Sequence, residues 1–166
     1  MRWHRLFDDL EAQVTRAERE EFEDEVRERA HGERAAVTLG AVLAASEGAR
    51  ARVTLRDGAV LAGTVVDCAA QWLHLGDGPR EWLVPASAIS TIEGPAPAAP
   101  EPGVIASRLT LGHALRALAE DGGDVVVNAS GTQARGRITA VGADYLVLGD
   151  AHVIPYGAVL SVAPAP

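Results

Sequence analysis

The feature that most constrains this chain is an internal repeat. Thr38-Leu39-Gly40 with Leu43 returns as Thr110-Leu111-Gly112 with Leu115, an offset of 72 residues, and Val53 matches Val125 at the same offset. One residue is then gained: at offset 73, Gly58 matches Gly131, Gly63 matches Gly136, Val65 matches Ile138, and Trp72-Leu73 with Leu75 matches Tyr145-Leu146 with Leu148. After the next turn the offset falls to 70, pairing Val84-Pro85 with Ile154-Pro155, Ala88-Ile89 with Ala158-Val159 and Ile92 with Val162. Two units that share a pattern share a burial problem, so the repeat fixes the number of units before any single element is assigned. The units run over residues 33–94 and 104–163. Between them, residues 95–103 lie in a stretch with four prolines in ten residues, Gly94 to Gly103, which reads as an extended connector.

Within each unit the patterning is the same. A short helix, 35–47 or 107–120, ends at Gly48 or at Gly122-Gly123, where a residue free to adopt positive φ stops the chain. Five short strands follow in the first unit. Val53 and Leu55 alternate with Arg52, Thr54 and Arg56, and Asp57-Gly58 signals a hairpin turn. Residues 60–67, 71–76 and 81–85 form short apolar runs, and 89–93 forms the last strand after a single tight helical turn. The hairpin around Asp77-Gly78-Pro79 is three residues longer in the first unit. A leading helix and five curled strands predict a mainly β fold of two tandem small barrels of the SH3 or Sm type.

The first unit resembles the bacterial Hfq branch of the Sm-like family. The likeness rests on Leu39 and Leu43 in the helix, on Val53-x-Leu55-x-Asp57-Gly58-x-x-Leu61-x-Gly63, on Gln71-Trp72-Leu73 and on Ala88-Ile89-Ser90-Thr91-Ile92. It covers about 60 residues of the first unit and, more faintly, 104–163. The resemblance implies single-stranded RNA as a partner, with bases stacking on rings and assembly through strands four and five of neighbouring barrels. The sequence departs from the family where the uridine-recognition triplet stands. Pro85, Ala86 and Ser87 occupy those positions in the first unit, and Pro155, Tyr156 and Gly157 in the second, so uridine recognition in the family's form is not carried over.

Charge narrows the partners. The chain holds 15 positive residues, all arginine, against 23 acids, a net charge of −8, so there is no whole-molecule basic field to draw in nucleic acid. The charge is densest at the start. Over residues 1–31, Trp3, Leu6, Phe7, Leu10, Val14 and Ala17 recur at helical spacing in an acidic background, predicting an amphipathic arm able to dock on a protein partner. A single cysteine excludes a disulfide framework, and the five histidines show no metal-ligand spacing. No apolar stretch reaches the length of a membrane span and no export signal is seen, which gives a cytoplasmic reading. No phosphate loop or nucleophile elbow can be assembled, so the chain reads as non-enzymatic, without metal or cofactor.

The candidate sites follow from strand alternation. Trp72 and Tyr145 recur on the face opposite the core leucines and are the candidate stacking rings, a contact worth about 1–3 kcal/mol per base. The competing reading packs the ring under a helix or against the other barrel. Arg52, Arg56, Arg135 and Arg137 point outward and are the candidate phosphate contacts. Trp82, Leu83, Val84, Val153 and Ile154 belong to strands apolar on both faces and are the candidate interface, within or between chains. Cys68 aligns with Val141 and reads as a small apolar filler. Three functions are carried forward: a regulator binding single-stranded RNA, a protein-assembly scaffold using the arm and the barrel edges, and a DNA-binding regulator, for which no helix-turn-helix is visible.

Overall fold

A computed structural model describes residues 38–94 and 109–166, all within one compact unit, Thr38–Pro166. The amphipathic arm, the proline-rich connector and the first residues of both leading helices, as expected from the sequence, lie outside the described residues. The first repeat contains α1 (Leu39–Ala44), β1 (Arg50–Leu55), β2 (Val60–Ala69), β3 (Trp72–Asp77), β4 (Arg80–Pro85), a 3₁₀ turn (Ala86–Ala88) and β5 (Ile89–Glu93). The second contains α2 (Leu111–Asp121), β6 (Asp124–Ala129), β7 (Thr132–Val141), β8 (Tyr145–Leu148), β9 (His152–Pro155), a 3₁₀ turn (Tyr156–Ala158) and β10 (Val159–Pro164). The described fold is mainly β, as the patterning predicts.

Local chemistry accounts for the helix ends. The Thr38 hydroxyl caps α1 by accepting from the Ala41 N–H at 3.3 Å. Thr110 opens α2 in a reciprocal box: its hydroxyl accepts from the His113 N–H, and its own N–H donates to His113 Nδ1 at 3.1 Å. The helix stops at Gly122, whose φ of 75° only glycine adopts without strain.

The sheet is one antiparallel array of ten strands in the order β5-β1-β2-β3-β4-β10-β6-β7-β8-β9. Each repeat contributes five neighbouring strands in the same internal order, with its last strand folded back onto its first. The repeat extends to the irregularities. β2 shifts register against β3 between Val65 and Asp67, and β7 shifts against β8 between Ile138 and Ala140, one repeat apart. Such bulges sharpen the bend of a ten-residue strand that must serve two partners. The close approach at that bend explains Gly63, where a Cβ would lie 2.7 Å from the Gly76 carbonyl oxygen.

The two repeats, which the sequence places on either side of a connector, are joined edge to edge by strands β4 and β10 in a single sheet. The three additional residues of the first unit's hairpin lie in its strands: β3 and β4 are six residues each, whereas β8 and β9 are four. Longer paired strands bring more ladder bonds and leave the turn tight.

Candidate functional site

Leu83 and Trp72 of the first repeat lie where the two repeats meet. β4 and β10 pair with Leu83 opposite Val162. Leu83 faces one way and Trp82 and Val84 the other, so the strand is buried on both faces: Val84 is packed in the first repeat's core with Trp82 against it, and Leu83 lies in the second's. The exchange is mutual. Ala69, Trp72 and Leu83 of the first repeat belong to the core built on Leu111, Leu115, Leu146 and Leu148, while Leu160 of the second repeat fills the core built on Leu43, Val53, Leu73 and Leu75. Two hydrogen bonds tie the repeats further. The Leu111 N–H, at the start of α2, donates to Gln71 Oε1 at 3.1 Å, and Arg56 Nη2 donates to the Gly157 carbonyl at 2.7 Å.

This geometry decides what the candidate stacking residues can do. Trp72, expected on a free outward face, is buried among the apolar side chains of the second repeat. The ring packs against the other repeat, as the packing reading has it, and what remains accessible of it borders the pocket at the junction. Its repeat equivalent, Tyr145, is exposed. The arginines are all exposed but are not brought together: β1 and β7 are separated by five strands in the sheet. Arg56 is engaged with Gly157, and Arg135 donates to the Pro166 main-chain oxygen at 2.7 Å. Arg52 and Arg137 make no ion pair with a described residue. Of the candidate interface residues, Val84 and Ile154 are buried, Trp82 is half-buried and Val153 stands exposed on the outer edge of the sheet. Leu83 lies directly at the junction.

Leu160 was not singled out from the sequence, and Gln71 only as part of the run Gln71-Trp72-Leu73, although both hold the junction. One signal was present for Leu160: its repeat equivalent is Ser90, and a polar residue replaced by leucine at matched positions marks a face that is solvated in one unit and covered in the other. Gln71 carried no comparable mark. Tyr156, at the position of the family's triplet, has its hydroxyl donating to the Gly142 carbonyl at 2.8 Å, a turn-holding contact whose burial raises its pKa.

Cys68 is buried on β2, and burial, with Glu47 and Asp67 adding to it, pushes its thiol up to about 11 from an ordinary 9.0. The folded protein therefore keeps its proton where the unfolded chain releases it. Stability contributed by this group is complete below pH 9 and declines as pH rises toward 11. Iodoacetamide labelling at neutral pH is expected to be slow in the native protein and to reach the rate of a free thiol on unfolding. Fast native labelling would place the thiol at the surface. Among the described residues no three or more His, Cys, Asp or Glu are grouped to hold a metal ion, and no helix is long and apolar enough to cross a membrane. Set against protein-family models and against curated proteins, the sequence matches none.

Proposed function

We propose that this chain is a non-catalytic assembly module, two small barrels of the SH3-like and Sm-like kind fused edge to edge, which joins further copies of itself head to tail. One observation carries the reading. The residues exposed at the two ends of the sheet are the repeat equivalents of those buried at the internal junction. Leu83 is 8 % exposed and its equivalent Val153 63 %; Trp72 is 7 % and Tyr145 40 %; Leu111 is 5 % and Leu39 42 %. On β10 the first four residues are all buried, while on the equivalent β5 none is. Among the described residues β5 and β9 are the unpaired edges of the sheet, and they occupy in their own repeats the places that β10 and β4 hold at the junction.

The register of the junction supplies the register of the contact. Leu83 opposite Val162 translates to Val153 opposite Ile92 of the next copy. That pairing covers an exposed valine and a half-buried isoleucine and closes two strand edges that would otherwise invite unregulated pairing. Ser90 replaces Leu160 in the translated contact, so no leucine enters the neighbouring core, and the contact between chains is weaker than the one within the chain. The single-stranded RNA reading is supported less well, since Trp72 is enclosed and the four arginines stand on distant strands.

Light scattering coupled to size separation tests this. The expected result is a whole multiple of the chain mass that dissociates on dilution. The double variant Val153→Arg and Tyr145→Arg, both at exposed positions, is expected to run as a folded single chain. An unmodified protein that is monomeric at high micromolar concentration, or a multimer indifferent to the double variant, would sink the proposal.

A further inference from the structure

A pocket of about 430 Å³ opens at the junction between the repeats, a volume in the range of small-molecule sites. Strands β2, β3 and β4 of the first repeat contribute one side, and α2, β6 and the end of β10 contribute the other. Its apolar lining includes Trp72, Leu83, Leu118, Val125 and Val162. Its polar lining is dominated by the carboxylates of Asp67, Glu81, Asp121 and Asp124, with His74 and His113. None of the described residues lining it is an arginine, and the chain contains no lysine.

The repeat separates what the fold requires from what this pocket alone has. Most of the named apolar lining recurs in kind, Trp72 as Tyr145, Leu83 as Val153, Val125 as Val53 and Val162 as Ile92, while Leu118 stands where the first repeat has Ser46. The six polar residues do not recur at all. Asp67, His74 and Glu81 stand where the second repeat has Ala140, Val147 and Ala151, and His113, Asp121 and Asp124 stand where the first has Ala41, Ala49 and Arg52. A side chain needed to close a unit is needed in both units. These six differ from their counterparts, come from opposite repeats, and meet only around this cavity.

Part of the lining is already engaged. His74 Nε2 lies 3.0 Å from Glu81 Oε2, Asp67 accepts from the Cys68 N–H at 2.7 Å, and His113 belongs to the α2 cap. Asp121 and Asp124 are exposed at the mouth, and no ion pair joins either to a described residue. In the wall, the indole N–H of Trp72 is buried without a hydrogen-bond partner among the described residues; as a donor it is matched by an acceptor on the body of a ligand and not by an amine.

We infer that this pocket binds a small organic cation, an aliphatic or aromatic body carrying a protonated amine. The apolar wall takes up the body and the carboxylates at the mouth neutralise the amine, whereas an anion of the same shape meets four carboxylates. The site lies within one chain, so it holds whether or not copies assemble.

Three ligands that share a carbon skeleton test the inference on the full chain: phenylbutylamine, phenylbutanol and phenylbutyrate, followed by titration calorimetry and by shifts of backbone amide resonances. The amine is expected to bind tightest, the alcohol more weakly and the carboxylate weakest, with shifts concentrated on α2, β3 and β4. Asp121→Asn with Asp124→Asn is expected to lower the amine's affinity about three- to tenfold and to leave the alcohol's unchanged, which also shows that the pocket is still formed. Asp150→Asn, away from the pocket, is expected to change neither. Binding that does not saturate, an amine no tighter than the carboxylate, or an amine indifferent to the double variant would each overturn the inference.

Discussion

Replacing Trp72 with alanine is expected to cost about 3–5 kcal/mol of stability, read from urea unfolding of the purified chain. The ring is 7 % exposed and sits in a cluster with Leu111, Leu115 and Leu83, so truncation empties a large volume between two repeats that cannot close over it independently. Trp72→Phe is expected to cost less than about 1.5 kcal/mol, because it keeps most of the ring and removes an indole N–H that has no described partner. The repeat equivalent provides the comparison. Tyr145→Ala, at a position 40 % exposed, is expected to cost less than about 1 kcal/mol in the monomeric chain. Equal losses at Trp72 and Tyr145 would show that the junction does not enclose the indole.

How much of this was legible in the sequence differs by element for physical reasons. The strands and their succession along each repeat were readable because alternation is a local property and the repeat states it twice. Val53 and Leu55 marked one inward face, while Gly63 showed only as a glycine matched by Gly136, and its place at the bend of β2 comes from the fold. The junction was legible only in part. Leu83-Val84 showed a strand apolar on both faces, which says that something covers it but not what. The burial of Trp72 was not readable, because outward means outward from its own repeat, and the covering surface is supplied by residues about 40 and 90 positions later. The acidic pocket was hidden for the same reason: Asp67 and Asp124 are unremarkable on their own strands, and only the junction places them around one cavity. The signal they did carry lay in their failure to repeat.

Leu160→Ala is expected to lower stability by about 2–5 kcal/mol and to do so for both repeats together. The residue lies on a strand of the second repeat, is 1 % exposed, and fills the core formed by Leu43, Leu73 and Leu75 of the first. A cavity there loosens the first core directly. It also weakens the β4–β10 pairing that delivers Leu83 and Trp72 to the second core, so the two clusters cannot fail separately. Amide hydrogen exchange followed by mass spectrometry reads the outcome, with protection on β1 to β3 and on β6 to β8 falling by matching amounts and denaturant unfolding staying a single transition. If the first repeat alone loses protection, or two transitions separate, the repeats are independent units in contact and not one body built on exchanged side chains. Ser90→Leu is the reverse experiment at the matched position. It gives the open β5 edge the leucine that makes the internal junction tight, and it is expected to strengthen association between copies without altering the unfolding of a dilute single chain by more than about 0.5 kcal/mol.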